Sequence, residues 1–154
     1  MGIALTLRQY LDDQDIEYDL ATHTKTGCSS ETAEASEIPG DCLAKGVVIR
    51  RKKGYLLAIV PTSSQVKLEE LGRWLKQPIA LASEDEIGDL FHDCEAGAVP
   101  PIGAAYGLRS VVDESLEGLS DIYFEAGDHR TLVHLSGAQF NRLMEKVPHE
   151  RICS

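Results

Sequence analysis

Six groups of residues in this chain have types and spacing that could do chemistry. The first is Gly97-Ala98-Val99-Pro100-Pro101, inside a stretch from Ala96 to Leu108 without one charged side chain, in a protein where 26% of residues are charged. Three glycines and two adjacent prolines exclude a regular helix or a central strand through its middle. An uncharged segment that cannot pair as secondary structure is expected to pack inward and offer its backbone N–H and C=O groups to something bound there. The second is Lys45, set among apolar residues in Leu43-Ala44-Lys45-Gly46-Val47-Val48. Its ammonium either snorkels to water from a strand end or sits at a pocket mouth, where it would pair with a phosphate or a developing anion.

The other four are less specific. Arg50-Arg51-Lys52-Lys53 is either a soluble hairpin turn or a handful of phosphate contacts. His129 follows Gly127-Asp128 in a turn, and a lone histidine there reads as structural or solvent-exposed. His134, in an apolar strand, reads as a paired sheet histidine. His92-Asp93-Cys94 invites a thiol nucleophile or a metal. A metal needs three or four ligands, and no second Cys/His cluster exists, so no metal and no cofactor is expected. A cysteine nucleophile needs a base that the sequence does not place. Nucleophile elbow, phosphate-binding P-loop and dinucleotide fingerprint are all absent.

The elements that must position these groups follow from periodicity and caps. Thr6 reads as the N-cap of a helix from Leu7 to about Gln14, and Ile16 to Leu20 as a short half-buried strand. Ser29 to Ala35 reads as a helix start, closed by Pro39-Gly40. Cys42–Ile49 and Tyr55–Pro61 form a hairpin, apolar on both faces and therefore central in a sheet. A helix over Leu68–Lys76 turns Leu68, Leu71, Trp74 and Leu75 inward, and Ile79–Ala82 reads as a strand. Ser83 with Glu86 is a capping box for a helix ending near Phe91. Strands follow at Ser110–Asp113, Ile122–Ala126 and Thr131–Leu135. Ser136 with Gln139 is a second capping box, opening a helix through about Glu145, and the tail from Pro148 reads as frayed. Strands and helices intermingle without a strict βαβ rhythm. The expectation is one α+β domain over residues 1–154, a mixed central β-sheet flanked by helices.

Length and composition set outer limits. The 154 residues, 43% hydrophobic, suffice for one domain that buries about two-thirds of its unfolded surface. No run reaches the roughly 18 unbroken apolar residues of a membrane span, and no export signal is visible, so a cytoplasmic protein is expected. Cys28, Cys42, Cys94 and Cys153 include no CxxC pair, which fits free thiols in that compartment. A net charge of -10 argues against broad, sequence-independent duplex DNA binding and leaves room for a small basic patch.

Taken together, these residues resemble the YbaK family, also called the prolyl-tRNA synthetase-associated editing domain. The likeness runs over about positions 23 to 145. It covers Ser30 to Ala35, Ala44-Lys45-Gly46-Val47, Val60-Pro61, Leu68 to Leu75, the Gly-x-x-x-Pro loop at Gly97–Pro101 and the Gly127-Asp128-His129 turn. The resemblance implies the YbaK fold and a free-standing deacylase that hydrolyses the ester of a mischarged aminoacyl-tRNA, a small amino acid on tRNA-Pro. Such an enzyme has a physical reason to exist, because one methylene is worth only about 1–3 kcal/mol of discrimination in a synthetase pocket.

The implied mechanism is non-covalent, metal-free and substrate-assisted. Backbone N–H groups of Gly97, Ala98 and Val99 would stabilise the oxyanion, with Pro100 and Pro101 stiffening the loop. Lys45 would hold the phosphate of the terminal adenosine. His129, Pro100, Ile102, Arg50 and Arg51 would contact the rest of the substrate. The partners implied are the aminoacyl-tRNA acceptor end and an aminoacyl-tRNA synthetase, with no membrane and no DNA. Net charge -10 suits tRNA only if Lys45 and Arg50 to Lys53 gather at one mouth. Two rival readings are a non-catalytic binding module of the same fold and a hydrolase using Cys94.

Overall fold

The computed structural model describes residues 3–23 and 38–154. The helix expected over Ser29–Ala35, including the Ser30–Ala35 part of the resemblance, lies outside them. The described chain runs α1 (Leu5–Asp13), β1 (Asp19–Thr22), β2 (Leu43–Arg50), β3 (Tyr55–Pro61), α2 (Leu68–Leu75), β4 (Ala80–Leu81) and α3 (Glu84–Leu90). It continues with β5 (Arg109–Asp113), β6 (Asp121–Glu125), β7 (Thr131–Ser136), α4 (Gly137–Leu143) and β8 (His149–Glu150).

One mixed sheet has the order β1-β7-β6-β2-β3-β5-β8, with β4 paired to β2 off that path. The β2–β3 hairpin is antiparallel and central, as its two-sided apolar sequence predicts. Its outer neighbours β6 and β5 run parallel to it. Successive side chains alternate between faces, so two cores form. On one face Val48, Leu57, Ile59 and Phe124 pack with Leu7 and Leu11 of α1 and Phe140 of α4. On the other, Ile49, Leu56, Ala58 and Val60 pack with Leu71 of α2 and with Ile152.

Local signals are met in some places and overridden in others. The Ser83 box is complete: Ser83 Oγ accepts from the Glu86 amide at 3.2 Å, and Glu86 Oε1 accepts from the Ser83 amide at 2.9 Å. The Ser136 box is half made. Ser136 Oγ accepts from the Gln139 amide, but the Gln139 side chain accepts from the Glu17 amide instead.

The first helix begins at Leu5 with Ala4 as N-cap and no side-chain cap from its own segment. Asp93 supplies one from a distance, Oδ2 accepting from the Thr6 amide at 2.9 Å. The first strand starts later than expected. Asp15 is left-handed (φ 54°), and the Ile16 amide bonds back to Leu11, which turns Ile16 into the core.

Two expectations are corrected outright. Trp74 is 38% exposed, because α2 packs through Leu71 and its indole lies at the rim of a groove. The C-terminal tail is not frayed. β8 adds to β5, Ile152 and Cys153 are buried, and Asp113, itself buried, accepts from the Ile152 amide at 2.8 Å.

Candidate active site

The Gly97–Pro101 loop is a hydrogen-bonded turn. The Ala98 amide donates to the Glu95 carbonyl at 3.1 Å, and Gly97 has φ of 80°, the pattern of a type II turn with glycine at its third position. A residue with a Cβ is strained there, which is why this position is glycine. The expectation of inward packing holds for the middle of the stretch: Ala98, Pro100, Pro101, Ile102 and Gly103 are buried, whereas Ala96, Gly97, Ala104 and Gly107 are exposed. One expected oxyanion donor is already committed, since the Ala98 N–H closes the turn. The Gly97 and Val99 amides remain as candidates.

Two contacts pin this turn to the β6–β7 connection. The Glu95 amide donates to the Gly127 carbonyl at 2.7 Å, and His129 Nε2 donates to the Ala96 carbonyl. In a trans peptide the C=O and the following N–H point in opposite directions. Holding the Ala96 carbonyl toward His129 therefore aims the Gly97 N–H away from it. His129 adopts φ of 60°, uncommon for a residue with a side chain. Asp128 supports that turn, accepting from the Arg130 and Thr131 amides at 2.9 and 2.8 Å.

Behind His129 lies a buried carboxylate between two imidazoles. His129 Nδ1 faces Glu125 Oε2 at 3.4 Å, and His23 Nε2 lies 3.2 Å from Glu125 Oε1. The three side chains are between 1% and 6% exposed. Ionisable groups this deep persist only when paired; the His129 ring itself is fixed by its Nε2 bond to Ala96, since Nδ1 and Glu125 Oε2 are 3.4 Å apart without a hydrogen bond between them. His129 is thus neither solvent-exposed nor isolated. The signal that could have found Glu125 was present: one acid inside the apolar run Ile122–Ala126, with a histidine four residues on.

Lys45 stands across an interruption in the sheet. The β2–β6 register ends at Ala44↔Phe124, and the β2–β4 register begins at Ile49↔Leu81. Among the described residues, no strand flanks Lys45, Gly46 and Val47 on that side. The far lip is formed where β6 ends at Glu125 and enters the Gly127–His129 turn. The Lys45 side chain leaves β2 on the face of Val47 and Ile49, and its charge reaches Cys153, whose thiol burial holds up at about 11. Gly46 faces the other way. A Cβ there would stand 2.8 Å from Leu57 Cδ1 and 3.4 Å from Pro101 Cα. The missing side chain lets the loop lie against β2 beside Lys45.

His92-Asp93-Cys94 is a structural corner. Asp93 Oδ1 accepts from the Tyr106 hydroxyl at 2.7 Å, and Cys94 Sγ lies 3.3 Å from the same hydroxyl. Burial works against the Asp93 carboxylate, but the Thr6 amide and the Tyr106 hydroxyl outweigh it and bring the group down to about 2. Burial pushes the Cys94 thiol up to about 12 and raises Tyr106 as well. A thiol in that state is protonated at neutral pH and a poor nucleophile. No group of three or more His, Cys, Asp or Glu is placed to hold a metal ion among the described residues.

The basic run is not brought to this site. Arg50 pairs with Glu86 at 3.3 Å, and Arg51 is six residues beyond Lys45 along extended chain, about 20 Å away. His134 is a sheet histidine as expected, stacked on Tyr123 at 4.4 Å and 2.7 Å from Asp121. The candidate site therefore brings the Glu95–Pro101 turn and His129 against β2 at Gly46, with Lys45 next along the strand and its side chain on the face of Cys153. Its candidate groups are the Lys45 ammonium and the Gly97 and Val99 N–H groups, with His129 supporting the turn that carries the first N–H. That set suits a substrate that carries a phosphate and develops negative charge on a carbonyl oxygen.

Comparisons with known proteins bear on this geometry. No curated protein matches the chain. Among solved structures, a candidate trans-editing enzyme for prolyl tRNA synthetase superposes with a TM-score of 0.84 at 20% identity, covering 98% of this chain and 96% of that one. A hypothetical protein superposes with a TM-score of 0.84 at 16% identity, covering 97% and 99%. A candidate signal transduction protein from Marinobacter aquaeolei VT8 superposes with a TM-score of 0.77 at 18% identity, covering 97% of this chain and 30% of that chain. These likenesses show the α+β fold expected from the sequence. No helix among the described residues is long and apolar enough to cross a membrane. The model of the aminoacyl-tRNA editing domain matches residues 23–143, from the buried His23 through the Lys45 strand, the glycine–proline loop and the His129 turn to the end of α4, and the chain belongs to that family.

Proposed function

We propose that this protein is an aminoacyl-tRNA deacylase that clears a small, wrongly attached amino acid from tRNA-Pro in the cytoplasm. The observation that carries the reading is the bond from His129 to the Ala96 carbonyl, which turns the Gly97 N–H away from His129 in a loop that lies against β2 at Gly46, next to Lys45. The choice of tRNA is supported by the neighbour described as a candidate trans-editing enzyme for prolyl tRNA synthetase. That synthetase is also the protein partner the reading suggests.

In the reaction, Lys45 holds the phosphate of the terminal adenosine and places the ester against the loop. Water adds to the ester carbonyl carbon, and the negative charge that develops on the carbonyl oxygen is met by the Gly97 and Val99 N–H groups. One such donor is worth about 3–4 kcal/mol of barrier. His129 Nε2 is committed as a donor to Ala96, so the ring orients the turn and does not take the water's proton. That proton passes through the neighbouring ribose hydroxyl of the substrate to the departing ribose oxygen. The products are a free amino acid and uncharged tRNA. Pro100, Pro101 and Ile102 form the stiff, buried side of the loop against which the amino acid rests.

The deciding experiment follows loss of the ester bond over time from tRNA-Pro carrying alanine, cysteine, serine or threonine. Release of one of these well above the rate without enzyme is the expected result. If none is released faster, the reading fails and a non-catalytic binding module takes its place.

A further inference from the structure

A second set of charges gathers beyond the loop, at the far end of β2. Arg51, Arg109, Arg142 and Lys146 line a groove of about 790 Å³ in which Glu145 is the single acidic lining residue among those described. Arg142 is anchored there by a hydrogen bond to the Asp15 carbonyl at 3.1 Å. Arg51 Nε is buried without a hydrogen-bond partner. The exposed indole of Trp74 stands at the rim. The groove follows an open stretch of strand, because β8 pairs only with Val112 and Asp113 and no other described strand pairs with Arg109 to Val111 on that side. Its inner wall includes Ile102 and Gly103, which directly continue the Gly97–Pro101 loop.

A chain of net charge -10 repels a polyanion almost everywhere. Four cations against one acid in a concave surface reverse that locally. Cations that track a backbone, beside an exposed aromatic face on which a base can stack, are the combination by which proteins hold single-stranded nucleic acid. An extended peptide added to the open strand edge would use the backbone of Arg109 to Val111 but would leave most of these charges unanswered.

We propose that this groove is an RNA-binding track, holding phosphates of the acceptor strand upstream of the terminal adenosine while the ester lies at the loop. The identity of the RNA rests on the deacylase reading; the existence of a phosphate track does not. The separation of about 20 Å between Arg51 and Lys45 then becomes functional. One RNA is gripped at two points, and the local charge overcomes the unfavourable net charge.

The test compares wild type with the double variant Arg109→Gln/Lys146→Gln, both exposed positions outside the ester site. Binding of a labelled, uncharged acceptor-stem RNA with a single-stranded 3′ end is measured over a range of KCl concentrations. The variant should bind severalfold more weakly, and its plot of log affinity against log salt should be shallower by about 1.4, about 0.7 for each single-strand phosphate no longer neutralised. Hydrolysis of an aminoacyl ester of adenosine 5′-monophosphate, too short to reach the groove, should be unchanged, while hydrolysis of full aminoacyl-tRNA loses efficiency through KM. Equal affinity and equal slope in the two proteins overturn the proposal. So does a matching loss on the short ester, which would place these charges at the reaction centre, and so does displacement of the RNA track by a peptide with no change in salt slope. Should wild type hydrolyse no ester at all, the deacylase reading falls, and RNA affinity with its salt slope still decides the groove.

Discussion

His129 donates through Nε2 to the Ala96 carbonyl across 33 residues of sequence, and this bond sets the direction of the neighbouring Gly97 N–H. Glu125 lies behind the ring, 3.4 Å from Nδ1, with His23 on its other oxygen. The N–H proposed as an oxyanion donor is therefore oriented by a side chain that need not touch the substrate.

Replacing His129 tests that arrangement. His129→Ala should lower kcat by about a hundredfold with little change in KM, the pattern expected when a transition-state interaction is removed. His129→Asn should recover part of the loss, because asparagine tolerates the left-handed backbone and keeps an N–H donor. Steady-state kinetics on the preferred aminoacyl-tRNA decides, and a pure KM effect in His129→Ala would contradict the assignment.

Gly97→Ala places a side chain at φ of 80°. The strain is about 1–2 kcal/mol, enough to tilt the turn. Thermal denaturation should show a small loss of stability, while deacylation falls by a larger factor than that loss accounts for. Proportionate losses would mean that the loop matters only for folding.

For Lys45 the expected defect lies in kcat/KM. Loss of a charged hydrogen bond to phosphate is worth about 1.5–3 kcal/mol, or about ten- to a hundredfold. Lys45→Arg should rescue poorly, since a planar fork does not replace a compact ammonium at a fixed site. Unchanged turnover in Lys45→Ala would support a binding module instead.

Asp93→Asn addresses stability and its pH dependence. The carboxylate is at about 2 when folded, against about 3.9 for an ordinary aspartate. A depressed value stabilises the fold above pH 4, and the contribution is lost as pH falls through about 2. Weakening the remote cap of α1 should cost about 1 kcal/mol at neutral pH. In urea titrations the gap between wild type and variant should close on acidification; a gap constant from pH 7 to pH 2 would rule out the charge as its source.

Cys94 gives the complementary expectation. With its thiol held up at about 12, iodoacetamide at pH 7.5 should label it slowly, and Cys94→Ala should keep its deacylase activity. Rapid labelling together with loss of turnover would revive a cysteine mechanism.

What could be read from the sequence was what neighbouring residues encode. The β2–β3 hairpin, the Ser83 box and the turn at Gly97 all follow from apolar runs, caps and glycine chemistry within a few positions. Pairings without a local signature stayed hidden. Asp93 caps a helix 87 residues earlier, and β8 is only two residues long, held by a parallel partner and the buried Asp113. The Ala98 amide illustrates a subtler limit. Sequence shows which backbone donors exist, but only the fold shows which are already taken.

The interruption beside Lys45 has a consequence for motion. By position β2 is the middle of the sheet, but over Lys45 to Val47 it is bonded like an edge, with β3 alone among the described strands as its neighbour. Amides there that face away from β3 should exchange with deuterium far sooner than those of Val48 and Ile49, which lie where Ala82 and β4 close the sheet. The centre of the sheet then holds a short section able to loosen while both cores stay packed, beside the proposed site.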